Sequence, residues 1–428
     1  MSAPDDYVPG HGDARYRVTR YELNLDYRPA TNALTGRGRL AVEVLEDTAE
    51  LALDLVGLGV DKVAVDGRAR RWRTRAGRVL VALGETVPDG TRLRLDLVWS
   101  GSPGPLRGRW GETGWEELTD GVLVAGQPDG APTWFPCNDV PRDKASFSTR
   151  VTTDSGYYVV GNGVLAERRT GGSRTTWRYE QVQPMATYLA TLQLGRYEET
   201  ELAPGQLLVC PPRLAARARH DVGRSPQMLE LFTELFGSYP FDGYTVVVTD
   251  DDLEIPLEAQ GISVLGANHV DGARGFERLV AHELAHQWFG NSLTAARWRD
   301  VWLHEGFACY AEWLWSERSG GPTADACARG AWSRLSRLPQ DLLLADPGPD
   351  LMFDDRLYKR GAVTLHVLRR SLGDPAFFDL LRSWTAAHRH GSVTTEAFVA
   401  HCAGIGGGES ADLLSDWLDA TALPPWPR

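Results

Sequence analysis

Lysine is nearly missing from this chain. Of its 45 basic residues only Lys62, Lys144 and Lys359 are lysines and the rest are arginines, a bias that reads as the codon usage of a GC-rich genome and not as a functional signal. Cysteine is scarce as well. Cys137, Cys210, Cys309, Cys327 and Cys402 are odd in number and scattered, with no CxxC pair. A disulfide framework and a cysteine zinc knuckle are therefore excluded, and a reduced, cytoplasmic compartment is the simplest expectation. No run of 18 apolar residues occurs, so no membrane partner is expected. The opening MSAPDDYVPGHGDARYRV lacks the basic and apolar regions of a secretory signal. An excess of positive charge is absent too: the formal net charge is -12, which argues against nucleic acid, since that partner calls for a basic face.

What is present fits a globular protein, with 43% hydrophobic and 24% charged residues. A length of 428 residues is long for one core and predicts two domains. Tyr16 to Tyr21, Leu23 to Tyr27, Arg39 to Val44 and Arg92 to Leu97 alternate apolar with polar residues. That period, with turns such as Pro103-Gly104-Pro105 and Gly171-Gly172 between runs, predicts half-buried antiparallel strands from residue 14 to about 200. Beyond that the texture changes. Arg224 to Phe236 has helical spacing, with Ser225 as the expected N-cap before Pro226. Tyr244 to Thr249 reads as a strand, and helices dominate from Gly275 onward, including Gly361 to Leu372 and the last turns at Asp412 to Leu418. The expected class is a multidomain α+β chain: a tail at residues 1–13, an N-terminal β-sheet domain at 14–202 and an α-rich domain at 203–428.

The sharpest feature is the H-E-x-x-H run from His282 to His286 inside an apolar helical pattern. Residues four apart share a helix face, so both imidazoles can reach one cation. Glu283 follows the first histidine and can take a proton from a metal-activated water without itself binding the metal. The alternative is two helix histidines, one exposed and one hydrogen-bonded in the core. A second helical pattern runs from about Arg299 to Glu317, and Glu305 in its first half can complete a His2Glu site. Asp300 precedes it by five residues. It either orients a ligand imidazole from behind or is an acidic residue favoured at a helix N-terminus.

At these residues the chain resembles the aminopeptidase N family of zinc peptidases, whose relatives include leukotriene hydrolase. HELAHQWFGN at 282–291 and WLHEGFA at 302–308 match its pattern of HExxH, eighteen residues, then Glu, with His304 where the family usually has Asn. The resemblance implies a saddle-like N-terminal sheet domain and a thermolysin-like catalytic domain binding one zinc ion through His282, His286 and Glu305. Thr133 to Asp139 is similar to the family's F-P-C-x-D segment, and Gln127 stands ten residues before the cysteine. By the resemblance Gln127 and Glu258 bind the substrate amine. Glu258 lies in Ile255-Pro256-Leu257-Glu258-Ala259, where the family's G-x-M-E-N keeps only its glutamate; an alignment through Glu254 loses the Q-G-x-S run that follows. Tyr358-Lys359-Arg360-Gly361-Ala362 is similar to Y-x-K-G-A, with Arg360 for lysine, which gives Tyr358 the role of transition-state tyrosine and leaves a buried helix-start tyrosine as its alternative. The implied activity is hydrolysis of the first peptide bond of peptides with a free N-terminal amine. An endopeptidase, an epoxide hydrolase and a non-catalytic scaffold are the competing readings. A form without the family's C-terminal helical domain, and so with a more open cleft, is also expected.

Overall fold

In a computed structural model, residues 5–427 are described. The chain forms two compact units that are not contiguous in sequence. Met1–Glu201, Leu207–Ala215 and Phe241–Asn268 make the first, and Leu202–Gln206, Ala216–Pro240 and His269–Arg428 make the second. Composition divides the chain at 202/203, whereas packing returns residues 241–268 to the first unit. The reason is pairing: the strand Tyr244–Val248 joins the sheet that holds Gln206–Cys210.

The first unit is built of strands. Its largest sheet runs, edge to edge, through Val164–Gly171, Arg174–Met185, Ala145–Asp154, Tyr16–Arg28, Ala33–Val44, Arg92–Gly101, Gly59–Val65 and Arg68–Ala69. Every second side chain of Ala33–Val44 turns inward, as the alternation predicts. In Tyr16–Arg28 a bulge between Val18 and Arg20 resets the alternation, so that Val18 and Tyr21 are both buried although three residues apart. Within this sheet the expected antiparallel pairing has one exception: Tyr16–Arg28 and Ala145–Asp154 run parallel. Alternation encodes which face is buried and not the direction of the neighbour.

A five-stranded sheet in the order Tyr158–Gly161, Leu192–Gly195, Gly121–Ala125, Gly111–Leu118, Pro105–Gly108 leads to the segment that holds Gln127. Another five-stranded sheet ends at the edge strand Leu257–Ala259, which carries Glu258 and pairs with Ile262–Leu265. Leu123, Val160, Val209, Val247, Ile262 and Val264 form one buried cluster beneath them. Residues 5–13 are docked on this unit: Tyr7 and Val8 are buried, and the Gly12 amide donates to Asp54.

The second unit holds helices α1 (Ala215–Val222), α2 (Ser225–Phe236), α3 (Glu277–Ala285), α4 (Trp302–Arg318), α5 (Ala324–Leu335), α6 (Asp355–Leu372), α7 (Asp374–Ala387) and α8 (Thr395–Leu418). Ser225 is the first residue of α2, not its cap; its hydroxyl donates back to the Val222 carbonyl, and the preceding Arg224 caps without a side-chain bond. α6 begins six residues before the expected Gly361, because Asp354 accepts from the Arg356 amide as a true N-cap. α4 is buried on almost every side through residues 302–315, as a helix through the middle of a core must be. Among the described residues no helix is long and apolar enough to cross a membrane, and all five cysteines are free.

Candidate active site

α3 carries His282 and Glu283 in its last turn, and His286 is its C-cap, still in right-handed helical conformation. The chain turns out of the helix at Gly290, whose φ of 126° suits only glycine. The Gly290 amide donates to Leu293 and the Asn291 amide to the His286 carbonyl. This tight turn keeps His286 on the face set by His282. The two rings lie 4.8 Å apart, nearly perpendicular.

Glu305 meets them from the first turn of α4. Its Oε2 is 3.4 Å from His282 Nε2 and 3.5 Å from His286 Nε2, and all three residues are buried. A tetrahedral zinc with bonds of about 2.0–2.1 Å would space its ligand atoms roughly 3.3 Å apart. The Glu305 oxygen therefore already stands from each imidazole nitrogen at about the separation that such an ion requires.

The far side of each ring is fixed. His282 Nδ1 is 2.8 Å from Glu312 Oε1, and His286 Nδ1 is 3.0 Å from the Phe289 carbonyl. With Nδ1 donating in both, each Nε2 lone pair is directed at the common point. Burial alone would lower the pKa of His282, yet its bonds to Glu305 and Glu312, with the nearby charge of Glu283, raise it to about 10. Burial likewise opposes ionisation of Glu305, and the two imidazoles override it, holding the carboxyl far below its usual range. Glu312 is held low by His282, with help from Lys359 and Arg278, against the opposing effect of its burial. The pocket is a buried negative field that calls for positive charge at its centre.

The residue behind His282 is Glu312, where the sequence offers Asp300 as the candidate. Asp300 does other work. Its Oδ1 accepts from the amide and hydroxyl of Thr395, and its Oδ2 pairs with Arg297. It is a buried acid at the N-terminus of α8, where the helix dipole favours it. The signal for Glu312 was available: it follows Glu305 by seven residues, two helical turns, and so shares its face.

Tyr358, in the first turn of α6, lies with its ring nearly parallel to that of His282 at 6.1 Å. The unusual His304 accepts from the Ala295 amide through Nε2 at 2.7 Å. Arg360 is buried and donates to the carbonyls of Leu342, Trp417, Ala420 and Thr421, so it ties α6 to the end of α8. A compact ammonium could not reach four carbonyls arranged this way.

Two predicted site residues lie in the first unit. Gln127 follows the strand Gly121–Ala125, and its Nε2 is buried without a hydrogen-bond partner. Such an orphan calls for an explanation. Glu258 is half-buried on the edge strand, opposite Ser263.

Two family models match the chain: the Peptidase M1 N-terminal domain over residues 18–189 and the Peptidase family M1 domain over residues 221–417. The crystal structure of an M1 zinc metallopeptidase from Deinococcus radiodurans is 31% identical, with a TM-score of 0.90 and 99% of each chain covered. A mutant of that protein has been solved bound to Tyr-Ser-Ala substrate. A leucyl aminopeptidase from Saccharolobus solfataricus is 24% identical over 95% of this chain and 54% of its own length. The chain thus spans about half the length of the curated relatives it matches.

Proposed function

Because this chain belongs to peptidase family M1, we propose that it is a zinc-dependent aminopeptidase that hydrolyses the first bond of peptides with a free N-terminal amine. The observation that carries this reading is the convergence of His282 Nε2, His286 Nε2 and a Glu305 carboxylate oxygen, mutually within 4.8 Å, with both Nδ1 atoms anchored. These three residues would hold zinc, which when bound polarises the scissile carbonyl and makes the attacking water more acidic. Glu283 takes the proton of that water and passes it to the departing amine. Tyr358 donates a hydrogen bond to the oxygen that gains charge; one such donor is worth about 3 kcal/mol in a transition state.

Glu258 and Gln127 hold the substrate amine and set where the chain is cut. The strand of Glu258 stands at the edge of its sheet, and sheet edges are where extended peptides are held by main-chain pairing. The unpartnered Nε2 of Gln127 supports a ligand contact, and a half-turn of its terminal torsion would put the accepting oxygen at that place. The five free thiols favour a reduced, cytoplasmic setting.

The test is hydrolysis of aminoacyl-arylamides by wild type, by chelator-treated protein and by Glu283→Gln, beside the same panel N-acetylated. We expect turnover of free-amine substrates only, lost on chelation and reduced roughly 10²–10⁴-fold in the variant. Full activity in a zinc-loaded Glu283→Gln would sink the mechanism. Equal turnover of acetylated substrates would make the enzyme an endopeptidase.

A further inference from the structure

We propose that Gly306 and Gly361 are positioning residues for the reaction, which act by setting how close Tyr358 stands to the ligand His282. The inference rests on the role given to Tyr358 above. It starts from two glycines in the interiors of α4 and α6, where glycine weakens a helix. A Cβ on Gly306 would stand 2.9 Å from the Gly361 Cα, and one on Gly361 would stand 2.8 Å from the Gly306 Cα. Carbon atoms in good contact sit about 3.5–4.0 Å apart. The two backbones therefore touch at a spot where no other residue pair fits without moving a helix.

The place of this contact gives it its meaning. Gly306 directly follows the ligand Glu305 in α4, and Gly361 lies three residues after Tyr358 in α6, on the same face. The crossing is thus the fulcrum between a metal ligand and the tyrosine that lies over His282 at 6.1 Å. A second tie holds the same seam: Lys359, next to Tyr358, reaches α4 with Nζ 3.3 Å from the buried Cys309 Sγ. Trp302 packs against both glycines, 3.4 Å from the Cβ position of Gly306 and 3.6 Å from that of Gly361, and closes the seam from the side. The glycines carry no side chain that could act on the site directly, so their influence on the reaction passes through helix placement. Lys359 also lends its charge to Glu312 behind His282, an effect that would persist in a Tyr358→Phe background and is separated by it. A misplacement on the order of 1 Å can cost about 10²-fold in rate.

The experiment is a double-mutant cycle on the zinc-loaded enzyme. kcat, KM, zinc content, melting temperature and affinity for a phosphinic transition-state analogue are measured for Gly361→Ala, Lys359→Met, Tyr358→Phe and the two doubles with Tyr358→Phe. We expect Gly361→Ala to lower kcat roughly 10²-fold and Lys359→Met by about 10-fold, the analogue to weaken in parallel, and KM and zinc content to stay near wild type. In the Tyr358→Phe background the positioning part of both further losses should vanish, since the residue they position is already disabled. Losses that multiply in full in the doubles would overturn the proposal. If Gly361→Ala does not fold, Lys359→Met, which adds no atom to the seam, decides: wild-type kcat there overturns it. Wild-type kcat in Tyr358→Phe would overturn the functional assignment of Tyr358 and this inference together. An impaired Tyr358→Phe beside unimpaired Gly361→Ala and Lys359→Met would overturn this inference alone.

Discussion

The first unit contains a half-buried imidazole among buried carboxylates that resembles the metal pocket in composition and differs from it in geometry. His11 Nδ1 is 3.1 Å from Asp139 Oδ2. Burial opposes its charge, but Asp139, Asp54 and Asp129 raise its pKa to about 9, much as the glutamates raise His282. Here, though, the carboxylate oxygens are spent on the protein. Asp54 accepts from the amides of Gly12 and Asp139 and pairs with Arg78, and Asp139 accepts from the Thr187 hydroxyl. In the second unit three ligand atoms face one another across a common point. A buried acid–imidazole cluster is therefore a tether or a metal centre according to where its lone pairs converge, and its charge alone does not tell which.

The sharpest way to break the comparison is to remove a converging ligand. His286→Ala should abolish stoichiometric zinc binding and activity together, whereas His11→Ala should leave zinc content unchanged; metal analysis after dialysis decides. Next in size is the charge of the tether itself. The pKa of His11 is raised on folding, so its contribution is complete below about 6.5 and is lost as pH rises through about 9. Wild type should lose about 3 kcal/mol more than His11→Gln between pH 6.5 and 10, read from denaturant unfolding. Parallel curves would show that the imidazolium does not hold the N-terminal segment.

A smaller effect is expected from behind the ligand. Glu312→Gln should weaken zinc binding about 10- to 100-fold in competition with a chelator, with little change in melting of the metal-free protein. The smallest belongs to Asp300→Asn. It keeps one acceptor for Thr395 but loses the charge opposite Arg297, and should cost about 1 kcal/mol of stability. Its zinc affinity should be that of wild type, and a clear loss of affinity would return Asp300 to the role that Glu312 fills here.

Much of this was legible in the chain. The HExxH run and the spacing to Glu305 are local or nearly so, since a helix converts a fixed count of residues into a fixed face. The alternation of Arg39 to Val44 likewise announced the buried side of its strand. What could not be read were partners chosen by packing: the parallel neighbour of Tyr16–Arg28, the return of residues 241–268 to the strand-built unit, and the exchange of Asp300 for Glu312. Ser225 is the first helical residue and not the cap, since a serine before proline fits either place in the pattern.

The sequence by itself determined the candidate metal ligands and the candidate base, since zinc chemistry needs those side chains at that spacing whatever surrounds them. Only the tertiary structure decided which carboxylate steadies His282, and how near α6 brings Tyr358, for these depend on where two helices touch. That contact is written as two glycines 55 residues apart, and a glycine states what may approach it only once its neighbour is known.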